Sequence, residues 1–137
     1  MTGVVDTSIV VKWFLAEEGS EAAETYLRAL LEGTARLIAP SSLFVELAST
    51  LWVQRRNGLT AALALQMYQK AVLLPLQVFD TNDLLPAGLE AAYRYQISPY
   101  DAVFVVLARQ LDCELITADR ALWTKVREQL PWVKLLA

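Results

Sequence analysis

Four acidic residues stand in this chain where an ordinary core would hold apolar side chains. Asp6 ends the run Gly3-Val4-Val5, and Glu46 interrupts Leu43-Phe44-Val45 and Leu47-Ala48. Asp101 opens onto Ala102-Val103-Phe104-Val105-Val106-Leu107-Ala108, and Asp119 follows Leu115-Ile116-Thr117-Ala118. An unpaired carboxylate is costly to bury, so a buried one needs a partner. If the four converge, they repel one another and their pKa values rise unless a cation is present. Mg²⁺ or Mn²⁺ suits such a group, being hard, oxygen-seeking and compatible with retained water. A centre of this kind performs phosphoryl chemistry, orienting a phosphodiester and stabilising charge on the departing oxygen.

Each acid also has an ordinary structural use. Asp6 can serve as a helix N-cap or turn residue, and Asp119 can cap a helix beginning at Arg120. Ser98-Pro99-Tyr100-Asp101 has the form of a capping box. Glu46 fits a solvated stripe through Ser42, Glu46, Ser49 and Thr50. The hydroxyls of Thr7, Ser8 and Thr117 are secondary candidates for contacts to metal-bound water or phosphate, with capping and strand-edge bonding as the alternative. Lys12, Arg120, Lys125 and Arg127 flank the acids and are candidates for phosphate contacts, with a solvated helix face as the alternative. Arg55-Arg56 complements the dipole at the end of the helix begun at Pro40.

Composition narrows the chemistry. The chain has no histidine, which removes Ser-His-Asp and Cys-His catalysis and His-Glu-x-x-His metal sites. Its single cysteine, Cys113, excludes an internal disulfide and a Cys-x-x-Cys zinc site, and reads as a core residue. Carboxylates, hydroxyls, Lys/Arg and metal are what remain. The net charge of −3 is the wrong sign for a simple polybasic nucleic-acid binder, although bound metal can reverse the local field. The 137 residues, 55% hydrophobic and 20% charged, fit one domain over 1–137 with enough apolar material for a core. No run reaches the roughly 18 apolar residues of a membrane span. Asp6 and Lys12 break any signal-peptide core, so a cytoplasmic protein with no membrane partner is expected.

The elements that must position the acids follow from pattern and punctuation. Strands are expected at Thr2–Val5, Arg36–Ala39, Leu76–Phe79, Glu114–Thr117 and Val133–Leu136. Helices are expected from Thr7 or Ser8 to Leu15, Ser20 to Leu31 with Gly33 closing it, and Pro40-Ser41 to Asn57-Gly58. More follow from Thr60 to Leu73, Thr81 to Tyr95, Ser98-Pro99 to Leu111 and Arg120 to Gln129. Strands alternating with helices imply crossovers and a mainly parallel sheet with helices on both faces. The carboxyl ends of the strands and the helix N-termini then share one edge, where ligands bind. Capping and chemistry do not compete here, because capping positions bring the four acids to the same edge.

Taken together, Val4-Val5-Asp6-Thr7-Ser8, Pro40-Ser41-Ser42-Leu43-Phe44-Val45-Glu46, Ser98-Pro99-Tyr100-Asp101-Ala102 and Thr117-Ala118-Asp119-Arg120 resemble the PIN-domain nucleases, and among them the VapC toxins. The resemblance runs over essentially the whole chain. It implies a three-layer α/β/α fold, Mg²⁺- or Mn²⁺-dependent endoribonuclease activity, homodimerisation and a VapB-like antitoxin partner. Carried over by position, Asp6, Glu46, Asp101 and Asp119 form the acidic site, Asp6 and Asp101 being the direct metal ligands. Glu46 and Asp119 would hold a second metal, act through water or orient the nucleophile. Many relatives carry asparagine three residues after the helix acid, where this chain has Ser49. Trp52, Met67, Tyr68 and the apolar helix Ala61–Leu74 offer a dimer surface or a groove for an antitoxin helix, with ordinary core packing as the alternative. The alternative is a PIN-fold RNA-processing or interaction module without a toxin role.

Overall fold

The computed structural model describes residues 1–136. Five strands form one all-parallel sheet: β1 (Thr2–Val5), β2 (Arg36–Pro40), β3 (Gln77–Phe79), β4 (Glu114–Thr117) and β5 (Val133–Leu135). Seven helices connect and cover them: α1 (Thr7–Phe14), α2 (Ser20–Glu32), α3 (Ser42–Val53), α4 (Ala61–Val72), α5 (Thr81–Tyr95), α6 (Pro99–Gln110) and α7 (Arg120–Val126). Parallel strands need crossover connections, and the helices between them supply these. The sequence-based expectation of a mainly parallel sheet is met by one that is parallel throughout.

The strand order is β3-β2-β1-β4-β5. From β1 the chain winds outward through β2 to β3, then returns to lay β4 on the other side of β1. The winding therefore reverses between β1 and β4, and a crevice opens at their carboxyl ends. Register makes this local: Val5 pairs with Ile116, so Asp6 and Thr117 leave the sheet side by side.

Gly3, Val4 and Val5 of β1 are all buried, as are Leu37 to Pro40 of β2, which marks strands covered on both faces. The centre of the core is α6, whose residues Ala102 to Ala108 are buried without interruption. It packs against β1, β2 and β4 on one side and α5 on the other. Close approach of α5 and α6 requires Gly88, where a Cβ would come within 3.1 Å of Val103 Cγ1. Leu37 lies fully buried at the middle of the sheet, opposite Gly3. Leu37→Ala should cost about 2–5 kcal/mol of stability from lost transfer energy and a residual cavity. Urea denaturation would measure it, and a shift below ~1 kcal/mol would mean that the sheet closes over the gap.

Two helices, α3 and α7, depart from the sequence-based expectation by more than a residue. The helix expected to start at Pro40-Ser41 begins at Ser42, because Pro40 completes β2 and Ser41 donates its N–H to Phe79 O at 2.8 Å. Its last turn tightens into a 3-10 turn, Gln54–Asn57, closed by Gly58 at φ 89°. The helix expected to reach Gln129 ends at Val126, where Gln129 N–H bonds back to Val126 O at 3.1 Å and Pro131 follows.

Candidate active site

Asp6 is the first residue beyond β1 and is only 7% exposed. Its backbone serves α1, the carbonyl accepting from the N–H groups of Ile9 (3.1 Å) and Val10 (3.3 Å). Its side chain does not cap that helix. The carboxylate turns across the sheet and accepts from two hydroxyls, Ser8 Oγ and Thr117 Oγ1. Those hydroxyls are themselves fixed by the backbone. Ser8 Oγ accepts from the N–H of Ala118 at 2.8 Å, and Thr117 Oγ1 accepts from the N–H of Asp119 at 3.0 Å.

Burial pushes the Asp6 carboxyl up to about 6. The Ser8, Thr117 and Ile9 hydrogen bonds oppose that shift, and the charge of Asp101 adds to it.

Glu46 projects from the second turn of α3 and accepts from Thr7 Oγ1 at 2.6 Å. Its carboxyl is also raised, first by burial, then by the charges of Asp101 and Asp6, with the Thr7 hydrogen bond opposing. Asp101 lies in the first turn of α6, where its N–H donates to Ser98 Oγ at 3.1 Å. Burial raises its carboxyl, the charge of Asp119 adds to this, and Ser98 and Lys125 oppose. Asp119 caps α7, one carboxylate oxygen accepting from Leu122 N–H at 3.1 Å. Capping accounts for Asp119, and half of the expected capping box is present at Ser98. It accounts for neither the Asp6 nor the Glu46 side chain.

The four acids line one cleft of about 570 Å³, together with Thr7 and Ser8. Like charges link them: Asp101 acts on Asp6 and Glu46, and Asp119 acts on Asp101. None of the four forms an ion pair among the described residues.

The basic candidates sit differently. Lys12 lines the cleft, but its ammonium is held by Glu17 at 3.0 Å and by the Glu18 carbonyl at 2.5 Å. Lys125 donates to Gln96 O at 3.2 Å, and the Arg127 guanidinium lies over the Trp123 ring at 4.8 Å. Arg120, Lys125 and Arg127 are not in the cleft wall.

Besides the apolar Val11, Phe104 and Ala118, two cleft residues, Glu17 and Tyr100, were not singled out in the sequence. Glu17 gives no signal there, since it follows the end of α1 and reads as punctuation. Tyr100 does give one, as a large aromatic one residue before an acid in a helix's first turn.

The donor set can be weighed against a divalent cation. Among the described residues no three carboxylates cluster closely enough to cage an ion by themselves. Mg²⁺ does not ask for that, being held by one or two carboxylates, retained waters and substrate phosphates. Oxygen donors, mutual repulsion and raised carboxyl pKa values all fit such an ion.

Comparisons with known proteins agree with this architecture. The PIN domain family matches residues 3–128. Ribonuclease VapC3 of Pyrobaculum aerophilum is 31% identical over 126 residues, covering 89% of this chain and 92% of that protein. A toxin–antitoxin complex from Klebsiella pneumoniae contains a chain that superposes with a TM-score of 0.67 at 16% identity, with 98% of each chain covered. VapBC2 from Rickettsia felis, bound to a DNA fragment from its promoter, gives a TM-score of 0.60 at 14% identity over 98% of this chain and 97% of that one. At these identities the structural likeness is one of fold.

Proposed function

The chain belongs to the PIN domain family, and on that premise we propose that it is a Mg²⁺- or Mn²⁺-dependent endoribonuclease, the toxin of a VapBC-type pair. The observation that carries the reading is the acid cleft at the β1/β4 switch point, with Asp6 held there by Ser8 and Thr117 and Glu46 by Thr7. Identity to a protein named a ribonuclease supplies the substrate class.

Asp6 and Asp101 would hold the ion, with Glu46 and Asp119 at its margin. When bound, the ion supplies positive charge to the phosphodiester and lowers the pKa of water beside it. The chain's own residues do the rest. Ser8 and Thr117 fix the Asp6 carboxylate in one orientation, so little reorganisation accompanies binding. Glu46, raised by burial, lies closer to the pH range useful to a general base than an ordinary carboxylate does. Thr7 holds it in the cleft wall. Lys12, beside the acids, would reach substrate phosphate only by releasing Glu17.

The antitoxin reading draws on the fold shared with proteins solved as toxin–antitoxin complexes. An apolar groove of about 580 Å³ between α3 and α4, lined by Leu51, Trp52, Ala64, Leu65 and Tyr68, is a surface suited to a helix of such a partner. Trp52 is 60% exposed and Leu65 57%, more than an isolated core would leave open. On α5, exposed Leu85, Leu89 and Tyr93 recur every four residues and form a stripe suited to homodimerisation. The acidic overall charge and the absence of a helix able to cross a membrane among the described residues are compatible with action in the cytoplasm.

Two measurements test the reading. Purified protein should cleave RNA in Mg²⁺ or Mn²⁺. Its expression should arrest growth unless a partner is co-expressed; an active ribonuclease that leaves growth untouched would remove the toxin role while keeping the enzyme.

A further inference from the structure

We propose that Tyr100 is a stacking platform for one unpaired nucleobase of the RNA, seating the strand beside the acids where charge gives the cleft little hold. The inference rests on the ribonuclease reading and gives its substrate a form: single-stranded or locally unstacked RNA. Tyr100 is 66% exposed and lines the same cleft as the four acids. It immediately precedes Asp101 in the first turn of α6, a turn made rigid by Pro99 and by Ser98, whose Oγ accepts Asp101 N–H at 3.1 Å and whose carbonyl accepts Ala102 N–H at 2.9 Å. The ring is therefore mounted on a fixed backbone next to an acid and presents its surface to solvent.

Electrostatics makes such a platform useful. Asp6, Glu17, Glu46, Asp101 and Asp119 line the cleft against one lining cation, Lys12, already held by Glu17, while Lys125 acts on Asp101 from outside the wall and is bonded to Gln96 O. Away from a bound divalent ion, this wall repels a phosphodiester backbone. Stacking on an aromatic face needs no charge and tolerates any base. A paired base hides its faces inside the helix, so the platform selects strands whose bases can be splayed out. Leu31, 62% exposed on α2, lies outside the cleft wall and serves as an internal control for loss of exposed apolar surface.

The test uses a mixed-sequence single-stranded RNA oligonucleotide that the wild type cleaves in Mg²⁺. Tyr100→Ala should raise KM about tenfold to a hundredfold, in line with the loss of one stacked base, with kcat nearly unchanged. Tyr100→Phe and Tyr100→Trp should keep wild-type KM, as should Leu31→Ala. Replacing the bases around the cut one at a time with abasic sites should reveal one position that costs the wild type a similar factor and costs Tyr100→Ala nothing. A wild-type KM in Tyr100→Ala overturns the proposal. So does a Tyr100→Phe variant as impaired as Tyr100→Ala, since the hydroxyl would then be acting. If every abasic site costs both proteins equally, the ring touches no base and the proposal fails. A wild type that neither binds nor cuts any RNA overturns the ribonuclease reading itself, and this inference with it.

Discussion

Asp6→Asn is expected to lower RNA cleavage by about a hundredfold or more while leaving the metal-free protein at least as stable as the wild type at pH 7. The two halves share one cause. The Asp6 carboxyl is 7% exposed, forms no ion pair among the described residues and is held up to about 6 by burial. At neutral pH the folded apo-protein must ionise a group that resists ionisation. Asparagine has the same shape and removes that cost. Ser8 and Thr117 can reorient their hydroxyls to an amide, since each also accepts a backbone N–H that stays in place. The substitution removes charge where an ion would be held, and loss of one preorganised electrostatic partner commonly costs about 10²–10³ in rate. Asp101→Asn should behave alike in rate. Cleavage assays alongside thermal unfolding decide the matter: near-wild-type rates would take Asp6 out of the site, and a large fall in melting temperature would make its role structural.

Removal of divalent metal should stop cleavage entirely, and it should also change how stability depends on pH. With Asp6 raised from 3.8 to about 6, the folded protein binds more protons than the unfolded chain between those values. Stability of the EDTA-treated protein should therefore fall as pH rises from about 4 to about 6 and stay lowered above that. Asp6 alone would contribute on the order of 2–3 kcal/mol to the fall, and the raised Glu46 and Asp101 act in the same direction. A bound cation favours the ionised carboxylates, so Mg²⁺ or Mn²⁺ should restore stability above pH 6 and do little near pH 4. Calorimetric melts across pH, with EDTA or with metal, would show this. Subtracting the Asp6→Asn profile isolates the Asp6 contribution. Cleavage that survives EDTA, or a metal effect equal at pH 4 and pH 7, would sink the mechanism.

The sheet was legible because its signals are local and agree with one another. Gly33 and Gly58 close helices at positive φ, Ser98-Pro99 opens α6, and Asp119 caps α7. The edge on which the acids meet followed from parallel topology alone. What stayed hidden was how each polar side chain would be spent. Thr7, Ser8 and Thr117 lie within two residues of acids in the sequence, and Ser8 does bond its neighbour Asp6, yet Thr7 pairs with Glu46 and Thr117 with Asp6 through distant contacts. The intramolecular partners of the basic residues were hidden for the same reason. Lys12, Lys125 and Arg127 each find a partner inside the protein that no local pattern announces. Helix ends at Ser42 and Val126 were displaced by strand pairing and by a tightened last turn, both tertiary effects.

The hydrogen bond from Thr117 to Asp6 spans 111 residues of chain. Synthesis delivers the N-terminus first, so β1 is made early and then waits. Its neighbour β4 becomes available only after β2, β3 and the helices α1 to α6 have been translated. Until then Asp6 lacks the Thr117 hydroxyl, and Asp101 and Asp119 have no sheet edge to share with it. A nascent chain ending before Glu114 thus carries Asp6, Glu46 and Asp101 without Thr117, Ala118 and Asp119, which complete the bonding of Asp6 and the cleft wall. Assembly of the acid cleft therefore waits on a single pairing, that of β4 with β1, which joins the first strand of the sheet to the fourth.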